Sequence, residues 1–164
     1  VVLDRPRHAE IVAEIREIGA RIKFITDGDV AGALMAAMPE TGIDLLVGIG
    51  GATEGTVSAC ALKCIGGNLQ CRIWPRNEEE RQLVAEMGLD VTKVYGLDDL
   101  VSSENVFFAA SGITDGELLQ GVHYSAHGAT TQSLVMRSKS GTVRRIDASH
   151  RLDKLSRFSA TRFD

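Results

Sequence analysis

Three short segments carry side chains whose types and spacing could act on an oxygen-rich anion. Arg5-Pro6-Arg7 sets two guanidinium groups one residue apart on a rigid proline, an arrangement able to hold a phosphate by charge-assisted bonds. Asp27-Gly28-Asp29 places two carboxylates around a glycine. Gly48-Ile49-Gly50-Gly51-Ala52-Thr53-Glu54-Gly55 joins a glycine-rich turn to a glutamate. Carboxylates of this kind ligate Mg²⁺ or Mn²⁺, or accept hydrogen bonds from sugar hydroxyls. A glycine turn opening a helix lets backbone N–H groups face an anion. Each segment also has a plainer reading. Arg5 to Arg7 could be a solvated loop, Asp29 could cap the following helix, Glu54 could serve only the helix dipole, and the glycines could make a tight turn.

The glycine turn fails two nucleotide-binding fingerprints. Counting G-x-G-x-x-G from Gly48 puts Thr53 where the last glycine belongs, and Gly55 is followed by Thr56-Val57 rather than by the Lys-Ser/Thr of a P-loop. The shared theme of the three segments is therefore metal, phosphate and sugar.

The elements that must position these residues follow from hydropathy periods. Val1 to Leu3 reads as the end of a strand that begins further upstream. Ile11, Val12, Ile15 and Ile18 form the stripe of an amphipathic helix over residues 8–18, started by Pro6 and stopped by Gly19. A strand over 21–26 and a helix over 30–38 come next. The wholly apolar run 45–49 reads as a buried central strand, leading into a helix over 56–65. A strand over 69–74, a helix over 78–87 and a strand over 106–110 continue the alternation. Beyond Gly121 the pattern becomes antiparallel: strands over 122–125, 130–137 and 142–147, with Lys139-Ser140-Gly141 as the hairpin turn. The fold class is α/β, a layered α/β/α sandwich with a mixed sheet. All three chemical segments then sit beyond carboxyl ends of strands, where open α/β sheets bind ligands.

Composition sets the limits. A chain of 164 residues is one domain or a large part of one, able to bury roughly 70% of its unfolded surface. The net charge of −4 is unlike that of a general nucleic-acid binder. No apolar run reaches membrane-spanning length, and no signal peptide is visible. Three cysteines without a C-x-x-C pair read as reduced thiols rather than a zinc site. His8, His123, His127 and His150 show no ligand spacing and read as structural or surface residues. Arg144-Arg145 reads as a solvated strand edge.

Taken together, the chemical segments resemble those of a known family. Asp4-Arg5-Pro6-Arg7-His8, Thr26-Asp27-Gly28-Asp29-Val30-Ala31 and Gly48 to Gly51 with Glu54-Gly55 closely resemble the class II fructose-1,6-bisphosphatases. So do Ala61 to Gly67, Thr114-Asp115-Gly116 with Leu118-Leu119, and Ser133 to Thr142. The resemblance spans residues 1–154; residues 155–164 match nothing and read as a disordered tail. It implies a fold in the superfamily of fructose bisphosphatases and inositol monophosphatase. It implies Mg²⁺- or Mn²⁺-dependent hydrolysis of fructose 1,6-bisphosphate to fructose 6-phosphate and phosphate, a cytoplasmic step of gluconeogenesis. On this resemblance Glu54 is a metal ligand. Arg5, Pro6, Arg7, Asp27, Gly28, Asp29 and Gly51 contact substrate. Members of the family are about twice this length, and their amino-terminal half carries most metal carboxylates and the groups that orient the attacking water. The chain is thus expected to be the carboxyl-terminal half: sugar-phosphate recognition plus one metal ligand, inactive alone. It is expected to associate with the amino-terminal half or with another copy of itself. The alternative is a non-catalytic sugar-phosphate-binding or regulatory module.

Overall fold

The computed structural model describes residues 1–155 and 157. In chain order the elements are β1 (Val2–Leu3), α1 (Ala9–Glu17), β2 (Phe24–Ile25), α2 (Asp29–Ala37), α3 (Ala52–Ile65), β3 (Gln70–Cys71), α4 (Glu78–Glu86), β4 (Tyr95–Gly96), α5 (Leu97–Leu100), β5 (Phe107–Ser111), β6 (His123–Tyr124), β7 (Gly128–Arg137), β8 (Thr142–Arg151) and α6 (Leu152–Leu155). The α/β class stands, and pairing of both senses is present, distributed over three sheets among the described residues. β1 and β2 pair in parallel, β3 and β4 antiparallel, and β5, β6 and β8 flank β7 antiparallel in a four-stranded sheet.

The core lies between this larger sheet and helices α2 and α3. Leu34 of α2 and Met38 just past its end, Ala61 and Cys64 of α3, and Phe108, Leu134 and Met136 of the sheet form one buried cluster with Leu119. The small residues of α2 and α3 (Gly32 and Ala33, Ser58 and Ala59) are buried too. Small side chains let helices approach each other and the sheet closely, so the Ala-rich pattern is a packing requirement. The hairpin turn is as expected: a 3-10 turn over Ser138–Ser140 closes on Gly141 at φ 59°, a left-handed conformation that glycine adopts without steric cost.

Four sequence expectations are corrected. The apolar run 45–49 forms no strand, and Leu45 is 62% exposed. It does lie beside β1: the Val1 amino group donates to Leu45 O at 2.7 Å, and Val47 N–H donates to Val1 O at 3.1 Å. These two hydrogen bonds are parallel in sense, and both are made by Val1, the residue before β1. The strands expected over 21–26 and 69–74 shrink to two residues each, because their partners are equally short. The stripe of α1 is only partly covered: Ile11, Val12 and Ile15 are half-buried, the helix has no fully buried residue, and Ile18, just past its end, is 80% exposed. Finally, Asp27 does not end a buried strand; Phe24 is exposed and the Asp27 side chain is 86% exposed. Of the expected tail, only Leu155 and Arg157 are among the described residues, and the remainder lies outside them.

Candidate functional site

The parallel pair β1–β2 brings the first two chemical segments side by side. Beyond β1, Arg5 is extended (φ −137°, ψ 141°) and Pro6 opens a 3-10 turn, using the fixed φ of its ring. Beyond β2, Gly28 stands at φ 91° before α2, a conformation that costs a side-chain-bearing residue energy. Asp29 begins α2 without capping it by its side chain, so the capping reading fails for this residue, although its charge still suits the helix dipole. Arg5 Nη2 donates to Asp27 Oδ1 at 3.0 Å, and Arg5 Nη1 donates to Asp4 O.

The glycine turn is fastened to the same place by His8, which sequence reasoning treated as bland. Its side chain is buried, at 1% exposure. With the proton on Nδ1 the ring donates to Leu3 O at 2.8 Å, while Nε2 accepts from Ile49 N–H at 2.9 Å. Arg7 Nε adds a second strap, donating to Ile49 O at 2.8 Å. A Cβ on Gly48 would come within 3.2 Å of the His8 ring, so glycine at that position allows the close approach. The only sequence signal for this role was a histidine directly after Arg-Pro-Arg.

Glu54 lies in the first turn of α3, and its Oε2 accepts from Gly51 N–H at 3.0 Å, the backward half of a capping box. The plain reading of Glu54 is thus realised, and Oε1 is left for another partner. The Asp29 and Glu54 carboxylates both face Gly50: a Cβ there would sit 2.8 Å from Asp29 Oδ2 and 3.9 Å from Glu54 Oε2.

These segments enclose a cavity of about 250 Å³ lined by Leu3, Arg5, Arg7, Asp27, Gly28, Asp29, Val30 and Glu54. Six of the eight candidate residues therefore line one space. Pro6 and Gly51 do not: Pro6 shapes the turn between the arginines, and Gly51 caps α3. A wider cavity of about 600 Å³ adjoins it through Asp27 and Gly28, with a floor that includes Leu34, Met35, Phe108 and Leu119. Its outer wall is the 112–119 segment, held to the residue just before β2 by an ion pair between Lys23 and Glu117. In this wall Asp115 accepts from Gly121 N–H and from His123 Nε2, and these bonds hold its carboxyl below the usual range.

Asp29 and Glu54 are hard oxygen donors of the kind that Mg²⁺ and Mn²⁺ take. Among the described residues, however, no three or more His, Cys, Asp and Glu side chains group to hold a metal ion. They fit a share of an ion's coordination shell and not the whole of it. The three cysteines are free thiols; Cys64 is buried, and burial raises its pKa.

A family model described as bacterial fructose-1,6-bisphosphatase, glpX-encoded, matches residues 1–150. The chain belongs to this family. Two relatives of the chain extend the match. It is 45% identical to a D-fructose 1,6-bisphosphatase class 2/sedoheptulose 1,7-bisphosphatase of Synechococcus sp. (strain JA-3-3Ab), over 93% of this chain and 48% of the relative. It is 40% identical to a fructose-1,6-bisphosphatase class 2 of Haemophilus influenzae (strain ATCC 51907 / DSM 11121 / KW20 / Rd), over 94% of this chain and 50% of the relative. The chain thus spans about half the length of the curated relatives it matches. Among the described residues no helix is long and apolar enough to cross a membrane.

Proposed function

We propose that this chain supplies the sugar-phosphate recognition surface, and one metal ligand, of a cytoplasmic phosphoric monoester hydrolase. The reaction is conversion of fructose 1,6-bisphosphate to fructose 6-phosphate and phosphate, with Mn²⁺ or Mg²⁺. The supporting observation is the convergence of Arg5, Arg7, Asp27, Asp29 and Glu54 on one cavity, in a chain of this family.

The charges suggest how the roles divide. Two guanidinium groups stand against three carboxylates, so a phosphate entering here gains no net attraction from the cavity alone. Arg7 holds Ile49 O through Nε, which leaves its two terminal nitrogens to donate to a phosphate. Asp27 and Asp29 can accept hydrogen bonds from sugar hydroxyls. Glu54, with Oε2 already fixed by the helix start, would offer Oε1 to a divalent ion. Such an ion supplies positive charge at the phosphate to be cleaved and lowers the pKa of a bound water. The chain's own contribution is to hold the sugar and its unreactive phosphate in register.

The test measures phosphate release from fructose 1,6-bisphosphate with Mn²⁺, using the 164-residue chain alone and mixed with the remaining portion of a class 2 relative. Release is expected only in the mixture, and Glu54→Gln should lower it by orders of magnitude. Strong hydrolysis by the chain alone would show that it builds a full site unaided. The lack of a three-donor metal group among the described residues favours a second reading, a sugar-phosphate-binding module without chemistry of its own. Binding of fructose 6-phosphate with no release in any mixture would select it.

A further inference from the structure

His8 does not line the cavity, and its side chain is buried at 1% exposure, so it is placed to act through a neighbour rather than on a ligand. The neighbour is Arg7. Leu3 O lies 2.8 Å from Nδ1, and a carbonyl only accepts, so the ring proton sits on Nδ1. Nε2 then carries a lone pair. It stands 2.9 Å from Ile49 N and 3.2 Å from Ile49 O. It accepts from Ile49 N–H and has nothing to donate to Ile49 O. That carbonyl is met instead by Arg7 Nε–H at 2.8 Å. The opposite tautomer would bring a second donor to Ile49 O, in competition with Arg7. Leu3 O is itself anchored, since it also accepts from Arg5 N–H at 2.9 Å. One chain of bonds thus runs from Arg5 N–H through Leu3, the ring and Ile49 to the Arg7 guanidinium.

We propose that His8 is a positioning residue for Arg7: it fixes the Ile49 backbone so that Ile49 O is reserved for Arg7 Nε, and both terminal nitrogens of Arg7 remain for an anion in the cavity. This role rests on the reading of Arg7 as a phosphate ligand. Ile49 belongs to no strand or helix, so no ladder sets the direction of its carbonyl, and the ring takes that task. The gain is preorganisation. A free arginine loses rotamer freedom when it engages an anion, and a guanidinium already held through Nε loses less. Releasing it should weaken binding roughly 2- to 12-fold, the cost of immobilising one such side chain. The fit between ring and turn is close. A Cβ on Gly48 would come within 3.2 Å of the ring's Cε1 and 3.4 Å of Nε2, so even one methyl group there presses on the atom that holds Ile49 N–H.

Two amides at position 8 separate the two ends of the ring. Asparagine reaches about as far as Nδ1 and can donate to Leu3 O, leaving Ile49 N–H unmet. Glutamine reaches about as far as Nε2 and can accept from Ile49 N–H. Isothermal titration calorimetry of the 164-residue chain with fructose 6-phosphate should show the full loss for His8→Asn and most of the parent affinity for His8→Gln. Gly48→Ala, which crowds the ring from the side of the turn, should behave as His8→Asn does. In an Arg7→Ala background His8→Asn should change the affinity by less than about twofold, because no guanidinium is left to position. Circular dichroism and urea midpoints check that each variant is folded. A purely structural histidine would lower midpoints without separating asparagine from glutamine and without coupling to Arg7. Equal affinities for the two variants at position 8, or a loss that persists undiminished without Arg7, would overturn the proposal. So would parent-like affinity in Gly48→Ala, which decides the matter should His8→Asn fail to fold. A parent chain that binds no fructose 6-phosphate would overturn the phosphate-ligand reading and this role with it. Binding by the parent with His8 uncoupled from Arg7 would overturn this role alone.

Discussion

Arg5 and Arg7 stand one residue apart and are committed differently. Arg5 spends one terminal nitrogen on Asp27 and the other on Asp4 O. Arg7 spends only Nε, on a backbone carbonyl. An incoming phosphate must displace Asp27 to engage Arg5 fully, and displaces nothing to engage Arg7. Both partners of the Arg5–Asp27 pair are well exposed, so the pair itself contributes little to stability. The expected outcome is a difference between two truncations. A charge-assisted bond contributes about 1.5–3 kcal/mol, so Arg7→Ala should weaken fructose 6-phosphate binding roughly 10- to 150-fold. Arg5→Ala should weaken it less, because a competing pair is lost with the arginine. Isothermal titration calorimetry on the chain and both variants decides. Unchanged affinity in Arg7→Ala would remove Arg7 from the proposed site. Glu54 shows the same double use: it caps α3 and still presents one oxygen, and Glu54→Gln keeps the cap while removing the charge.

At the scale of elements, His8 links β1 to the glycine turn where no ladder does. Removing its ring leaves Ile49 N–H without a partner among the described residues, strips Leu3 O of one of its two donors, and opens a cavity. His8→Ala should therefore destabilise the chain by about 2–4 kcal/mol, read as a lower urea midpoint with little change in slope. A midpoint within error of the parent would mean that water replaces the ring without cost. This link also explains what could be read from the sequence. The helices α2, α3 and α4 and the β7–β8 hairpin were legible because their periods and their glycine or proline stops are local signals. The convergence of the candidate residues on one cavity was legible because Arg-Pro-Arg, Asp-Gly-Asp and the glycine turn are short motifs at element ends. The run 45–49 was not: a wholly apolar segment says that it will be buried or paired, and pairing depends on what lies alongside. Here the run makes two backbone hydrogen bonds with Val1, and the side chains of His8 and Arg7 hold its end at Ile49. The α1 stripe marked the right face, half-buried at Ile11, Val12 and Ile15, but amphipathicity cannot supply the surface that would cover that face fully.

Across the whole molecule, titration sets the range of conditions in which these elements stay together. Hydrogen bonds lower the pKa of four carboxylates: Glu80 beside Arg76, Asp90 beside Thr92, Asp99 beside Lys93, and Asp115 beneath Gly121 N–H and His123. A folded pKa below the unfolded one adds stability that is present above the ordinary value and is lost as pH falls through the folded value. The ordinary values are 4.5 for Glu80 and 3.8 for the aspartates. The acid loss should therefore begin near pH 4.5 and deepen below 3.8. At the alkaline side, burial raises the Cys64 and Cys71 thiols above 9.0. A raised folded pKa adds stability that is present below the unfolded value and lost above it, so decline should begin near pH 9. Lys63 and Lys93, held by Asp98 and Asp99, extend the decline beyond 10.5. Calorimetric Tm should thus be flat between about pH 5 and 9 and fall on both sides. The carboxylates are all solvent-facing, so each contribution is small and salt should shrink it. Asp99 gives the sharpest check. It accepts from Lys93 Nζ at 2.6 Å and caps α5 by accepting from Gly96 N–H at 2.8 Å. Asn at this position keeps an acceptor for the cap and loses the titrating charge. Asp99→Asn should lower Tm slightly at neutral pH, flatten the acid slope, and weaken the part of the alkaline decline carried by Lys93 and Cys71, leaving the part that begins at Cys64. An acid slope identical to the parent's would show that Asp99 does not carry its share of the proton linkage.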